Sequence, residues 1–220
     1  MKRSLLALFC FTALAATAFA VSTSFYQESG IRDFETGRFE GISVNDNGEL
    51  YLAPSLKTLL DKNDLFVWDI VRGPGGDLFA ATGVKGNIWR IPAQGAPALF
   101  ANVNTATVRA LALARDGRLV AGASSPARVI AFDAAGKQTV LARPAATYIW
   151  DMATGPDGKL YAACGNPAKL VRIDPVTGAV EELFAAKSES HFLALGINAA
   201  GSVYLGSEGN GILYKWTPDG

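Results

Sequence analysis

The chain has 220 residues, half of them hydrophobic, and its 20 basic and 20 acidic residues cancel. A chain of this size and composition can bury a hydrophobic core of its own. The balanced charge gives no electrostatic reason to expect nucleic acid or an anionic membrane surface as a partner, so no nucleic-acid partner is predicted.

Residues 1–20 have the features of a Sec-type signal peptide. A basic start, Lys2-Arg3, precedes an apolar stretch from Leu5 to Phe19, and Ala18-Phe19-Ala20 supplies the small-x-small pattern that signal peptidase cuts. The apolar run is shorter than the ~20 residues of a membrane-spanning helix. An uncleaved anchor is the alternative. We therefore expect a periplasmic or extracellular protein, cleaved after Ala20, with no membrane insertion afterwards.

Cleavage would leave residues 21–220 as a single β-propeller domain, for reasons given below. Removing two of the 20 basic residues leaves 18 against 20 acidic ones, a net charge of −2. Only one cysteine, Cys164, would remain, so no intramolecular disulfide is expected. A small side chain buried in a strand is the simplest role for it.

A repeated sequence dominates the rest of the chain. VWDIVRGPGGDLFAAT, residues 67–82, recurs 82 residues later as IWDMATGPDGKLYAAC, and more diverged copies begin at Phe39, Val108 and Phe192. Glycines at the turns of these copies are separated by 28, 41, 41 and 43 residues: Gly48, Gly76, Gly117, Gly158 and Gly201. A second series is separated by 41, 42 and 42 residues: Gly95, Gly136, Gly178 and Gly220. Two series with one period indicate one supersecondary unit repeated along the chain.

Each unit is predicted to contain four short strands. In the copy around Gly158, the turn Asp157-Gly158 separates two β-compatible runs, and KLVRID (169–174) and AVEELF (179–184) follow on either side of Thr177-Gly178. Four strands in ~40 residues is the period of a propeller blade. A flat sandwich would explain the strands but not the regular period. We predict an all-β β-propeller of four-stranded blades.

About five blade units are present, near 29–65, 66–106, 107–146, 147–188 and 189–220, and the last is incomplete. The segment SGIRDF, residues 29–34, resembles an isolated fourth strand. Either this strand closes a small ring of five units, or the chain is a fragment of a larger propeller. The second interpretation is favoured, because a repeat domain normally ends in a cap. It predicts an incomplete arc with an unpaired edge at one or both ends.

The Trp-Asp pairs at 68–69 and 150–151 open the first strand of their units, whereas WD repeats place this pair at the end of the third strand. The recurring GPDGxLY or xxxGxLYxA pattern resembles NHL-type, virginiamycin B lyase and gluconolactonase-like propellers over residues 39–220.

The gluconolactonase resemblance implies a divalent metal in the channel, bound by a Glu of an EGP stretch. Glu40-Gly41 matches its start, but Ile42 replaces the proline. The lyase resemblance implies several catalytic histidines, and His191 is the only one. Catalytic residues therefore stay unknown.

The first strand of each blade lines the channel, and its opening residues lie near one mouth. Counting eight residues back from each turn glycine gives Glu40, Trp68, Arg109, Trp150 and Leu193, and counting seven back gives Gly41, Asp69, Ala110, Asp151 and Ala194. We predict a ligand site at this mouth formed by Glu40, Trp68, Asp69, Arg109, Trp150, Asp151 and His191. Glu40, Asp69 and Asp151 could hold a divalent cation such as calcium. Structural roles are the alternative: Asp69 and Asp151 pair with Arg109 or cap neighbouring backbone amides, and the tryptophans wedge between blades.

These features favour an exported binding or scaffold module that recognises a protein, a glycan or a small molecule. A metal-dependent lactonase, hydrolase or lyase is the first alternative. A sensor propeller of a membrane signalling protein is the second.

Overall fold

The computed structural model of the chain describes residues 39–64, 66–104 and 107–218. These residues form seventeen β-strands. No described residue is helical, so this part of the chain contains no candidate for a membrane-spanning helix. The predicted signal peptide and the predicted strand at 29–34 lie outside the described residues. The chain divides into two compact units, Met1–Lys57 and Thr58–Gly220.

The described part of the first unit contains one antiparallel hairpin, β1 (Ile42–Val44) paired with β2 (Leu50–Leu52). The side chain of Asn45 closes its turn: Oδ1 accepts hydrogen bonds from the backbone N–H groups of Asn47 and Glu49. An amide side chain that bonds its own turn in this way is typical of Asx turns.

The second unit contains four antiparallel sheets, and in each sheet every strand pairs with its neighbour in sequence. The first sheet comprises β3 (Val67–Arg72), β4 (Leu78–Thr82), β5 (Asn87–Ile91) and β6 (Ala98–Asn102). The second comprises β7 (Thr107–Leu113), β8 (Leu119–Ser124), β9 (Arg128–Phe132) and β10 (Gln138–Ala142). The third comprises β11 (Tyr148–Thr154), β12 (Leu160–Gly165), β13 (Lys169–Ile173) and β14 (Val180–Ala185). The fourth comprises β15 (Phe192–Ile197), β16 (Val203–Ser207) and β17 (Leu213–Trp216).

This topology confirms the predicted all-β propeller of four-stranded blades. The sheets have two, four, four, four and three strands in chain order. None of them closes on a strand from another part of the chain within the ranges described, as the predicted incomplete arc requires. The ring closure through residues 29–34 falls outside those ranges.

The core of the second unit lies between successive sheets. The inner strands β3, β7, β11 and β15 contact one another in order, so each sheet packs against the next as propeller blades do. Both β8 and β12 are buried at every position, which means that both faces of these strands are covered. Their near-continuous apolar sequences follow from this, because neither face meets water. Cys164 in β12 is buried and unpaired, and burial raises the pKa of its thiol to about 12.

The two glycine series have different physical causes. The first series closes the hairpin between the first two strands of each sheet, and its five members have φ between 77 and 87°. Two members of the second series, Gly136 and Gly178, mark a close approach between blades. A Cβ atom on Gly136 would lie 2.4 Å from the carbonyl oxygen of Phe100, and one on Gly178 would lie 2.1 Å from that of Leu141. Each carbonyl belongs to the outer strand of the preceding sheet.

The change Gly178→Ala tests this outer contact. The new methyl group would meet the Leu141 carbonyl at a φ of 74°, which side chains rarely adopt. Left-handed strain alone costs about 1–3 kcal/mol, and the steric clash adds to it. We expect a loss of about 3 kcal/mol or more in the free energy of unfolding, measured by urea titration. Gly75→Ala is the control, since its Cβ would have no neighbour within 4 Å, and equal losses in both variants would contradict the close approach.

Candidate functional site

Each inner strand of the second unit begins with a β-bulge at the same place. The strand register shifts between Val67 and Asp69 in β3, and equivalent shifts occur in β7, β11 and β15. A bulge leaves one residue without a partner and redirects its side chain. The four unpaired residues are Trp68, Arg109, Trp150 and Leu193. These are the residues found by counting back from the turn glycines, so the spacing of the sequence identified equivalent positions.

Three of these bulge residues form a stack across three blades. The guanidinium carbon Cζ of Arg109 lies 4.1 Å from the ring centroid of Trp68 and 4.4 Å from that of Trp150. Each cation–π contact of this kind contributes about 0.5–2 kcal/mol, with the larger value for desolvated pairs. The two tryptophans therefore contact the intervening blade through a cation that they enclose.

Hydrogen bonds fix both indole rings. Nε1 of Trp68 donates to the carbonyl oxygen of Gly83 at 2.7 Å, and Nε1 of Trp150 donates to Nδ1 of His191 at 2.9 Å. Because Nδ1 of His191 accepts this bond, the neutral imidazole carries its proton on Nε2. That nitrogen lies 3.8 Å from a carboxylate oxygen of Glu208. We call Trp68, Arg109, Trp150 and His191 the inner-edge cluster.

Three residues that sequence reasoning missed support the cluster. Phe66 stacks on Trp68 with centroids 4.7 Å apart, and Tyr148 lies 5.4 Å from Trp150. Gly165 leaves room for the hydrogen-bonded side chains of Trp150 and His191. A Cβ atom at this position would lie 2.0 Å from Nδ1 of His191 and 2.4 Å from Nε1 of Trp150. A signal for Gly165 existed, since Gly83 and Gly165 are the next residues after the two quoted repeats.

Asp69 fastens β3 to β7, and Asp151 fastens β11 to β15. Each carboxylate accepts one backbone N–H from its own strand and one from the following blade. The bonds are Asp69 Oδ1 from Ile70 (2.7 Å), Asp69 Oδ2 from Leu111 (2.6 Å), Asp151 Oδ1 from Met152 (2.7 Å) and Asp151 Oδ2 from Leu195 (2.7 Å). Two structural roles were considered for these aspartates. The hydrogen bonds show that both aspartates cap backbone amides, and neither forms an ion pair with Arg109 among the residues described.

The cluster carries a positive charge without a counter-ion. Among the residues described, no carboxylate forms an ion pair with Arg109 and no acceptor bonds its side chain; its Nε atom is buried and unpaired. Burial lowers the pKa of Arg109, but a guanidinium stays protonated at neutral pH. Burial also raises the pKa of Asp69, by more than its amide hydrogen bonds lower it, and the charge of Asp151 adds to the rise.

The three predicted metal ligands fall in two units: Glu40 in the first, Asp69 and Asp151 in the second. Glu40 belongs to the first unit, just before β1. Within residues 39–64, 66–104 and 107–218, no three His, Cys, Asp or Glu side chains are placed to hold a metal ion. Both oxygens of Asp69 and Asp151 already accept backbone amides, so these two carboxylates alone do not fit a calcium ion. Calcium binding stays a prediction.

Removing Asp151 should weaken the contact between β11 and β15. Asp151→Ala leaves two part-buried amides without an acceptor, which costs about 2–3 kcal/mol. Asp133 is a matched control, because its carboxylate also accepts two backbone amides, from Ala135 and Lys137, but within an exposed turn. We expect Asp133→Ala to cost about 1 kcal/mol or less in the same urea titration. Equal losses would show that the bond between blades adds nothing.

Comparison with known proteins places the fold. No protein-family model and no curated protein sequence matches the chain. Virginiamycin B lyase from Staphylococcus aureus matches with a TM-score of 0.60 at 15% identity, covering 80% of this chain and 62% of the lyase. A chain of the nidogen/laminin complex matches with a TM-score of 0.64 at 14% identity, covering 81% and 70%. The WD40 β-propeller domain of Doa1 matches with a TM-score of 0.60 at 16% identity, covering 73% and 53%.

This chain spans less than two thirds of the length of the lyase structures that it matches. At these identities the likeness concerns the fold, and the same fold carries enzymes and binding proteins alike. The predicted resemblance is confirmed at the level of the fold: the chain is a β-propeller.

Proposed function

We propose that this chain is an exported binding module, acting in the periplasm or outside the cell, whose ligand binds at the channel mouth on the inner-edge cluster. The observation that carries the proposal is the clamped guanidinium. Arg109 is held between Trp68 and Trp150, and its N–H donors have no acceptor within the part of the chain that is described.

The cluster is organised before any ligand arrives. Binding sites typically combine aromatic surface with a few well-placed polar groups, and affinity rises when those groups are already ordered. Here hydrogen bonds to Gly83 and His191 fix the indoles, and the indoles fix the arginine. The rotamer entropy of a long side chain is therefore lost on folding and not on binding.

The engagement of the nearby acids supports binding over catalysis. A general acid or base needs a carboxyl or imidazole free to exchange a proton with the substrate. Asp69 and Asp151 use both oxygens on backbone amides. The lactonase, hydrolase or lyase alternative would need acids or metal ligands from residues other than these.

The proposal covers the three ligand classes predicted from the sequence: a small molecule, a glycan or a protein. A sensor propeller would use the same cluster, so the sensor alternative concerns what lies beside this domain and not the site itself.

Indole N–H resonances of the labelled protein test the proposal. The chain has four tryptophans. Trp216 in β17 is the remote internal control, and Trp89 in β5, whose Nε1 bonds Asp64 beside Gly83, is the near one. A panel of acidic, neutral and basic monosaccharides, amino acids and short peptides would be titrated, with calcium chloride as a separate arm. We expect at least one compound to shift the signals of Trp68 and Trp150 and to leave the two control signals in place.

Single Trp→Phe variants assign the four signals. A panel in which no compound moves the Trp68 and Trp150 signals, or in which compounds move only the controls, would contradict the proposed site. Release of product from any compound during the titration would favour the enzyme. A shift of the cluster signals by calcium alone would favour the cation site.

A further inference from the structure

We infer that the ligand of the inner-edge cluster presents a carboxylate, which binds end-on to the terminal nitrogens of Arg109. This inference rests on the proposed function and names the chemical class of its ligand. It differs from the divalent cation that the acidic residues suggested at first.

Two sides of the guanidinium are covered by rings. Cζ of Arg109 lies 4.1 Å from the ring centroid of Trp68 and 4.4 Å from that of Trp150. A ligand must therefore approach Arg109 from a side that neither indole occupies.

One edge is closed as well. Nε of Arg109 is buried, whereas the residue as a whole is partly exposed. The reachable edge is therefore the one formed by the two terminal nitrogens, Nη1 and Nη2. These two donors are parallel and match the two oxygens of a carboxylate in a bidentate pair.

The positive charge of the cluster also favours an anionic ligand. Asp69 lies next to Trp68 in sequence, but its carboxylate bonds the backbone of Leu111, and the strand of Arg109 carries Ala110 at the equivalent position. A partly buried cation without a counter-ion is costly, and an ionic ligand would remove that cost.

The two flanking rings favour a carboxylate over a phosphate or sulfate. The two oxygens of a carboxylate lie in one plane and pair with Nη1 and Nη2. A tetrahedral anion carries further oxygens outside that plane, and two indole rings already lie within 4.4 Å of Cζ. Aromatic faces carry negative potential and repel an anionic oxygen.

Benzoate and benzamide form a matched pair of probes for the test. They have the same ring and nearly the same shape, but only benzoate is charged and has two acceptor oxygens. We expect benzoate to shift the indole signals of Trp68 and Trp150 and to bind at least tenfold more tightly than benzamide. We also expect an equal concentration of inorganic phosphate not to displace it.

Two variants separate charge from geometry. Arg109→Lys keeps the positive charge but loses the paired donors, and Arg109→Gln loses both. Each should weaken benzoate binding at least about tenfold, because the bidentate pair is gone. Unchanged signals of Trp89 and Trp216 would show that a variant is folded. Benzoate and benzamide are also compared on the unchanged protein. That comparison remains valid even if a variant fails to fold.

Several results would overturn the inference. Equal binding of benzoate and benzamide would mean that the cluster binds rings, and displacement by phosphate would mean that it binds any anion. Full benzoate affinity in Arg109→Lys would exclude the bidentate pair. If benzoate fails to bind at about 100 mM while another compound shifts the cluster, the carboxylate is wrong but the proposed site stands. If nothing shifts the cluster, both are wrong.

Discussion

One extra residue at the start of each inner strand determines how the second unit is assembled. Because the register shifts there, the bulged side chain leaves the sheet, and the next residue reaches the neighbouring blade. In β3 and β11 that next residue is an aspartate, which bonds a backbone amide of the following inner strand. The same bulge therefore supplies both the bond between blades and the side chains of the site.

The blades depend on one another at both edges. At the inner edge, carboxylates span from strand to strand, and at the outer edge, glycines allow the carbonyl of the preceding blade to approach. Between these edges the strands β8 and β12 have no exposed position. A single blade could not cover its own faces, which is the usual condition of repeat proteins. The packing of the blades also holds the site together, since its three stacked residues come from three different blades.

Much of this architecture follows from the sequence, for identifiable reasons. Turn glycines need a left-handed backbone, so their spacing revealed the blade period, and a fixed count from them located Trp68, Arg109 and Trp150. The 82-residue repeat spans two blades, which is why two tryptophans flank an intervening arginine. The role of the aspartates stayed open, because spacing cannot tell a backbone amide from a guanidinium as the partner of a carboxylate.

Other features could not be read from spacing. Gly165 matters because Trp150 of its own blade and His191, just before β15, both approach it, and the second contact depends on how blades pack. The inferred charge of the ligand, negative and not positive, also depends on packing that the spacing does not reveal. Counting acids at the mouth suggested a cation, and only the hydrogen bonds of Asp69 and Asp151 show that those acids are already engaged.

The stack of Arg109 between two indoles is the central claim, and the Nε–H resonance of Arg109 tests it most directly. A proton held between two aromatic faces and away from solvent should resonate upfield of an ordinary arginine and should exchange slowly with water. It should move back downfield when Trp68→Leu removes one of the rings. An ordinary chemical shift with fast exchange, unaffected by that change, would contradict the stack and the site built on it.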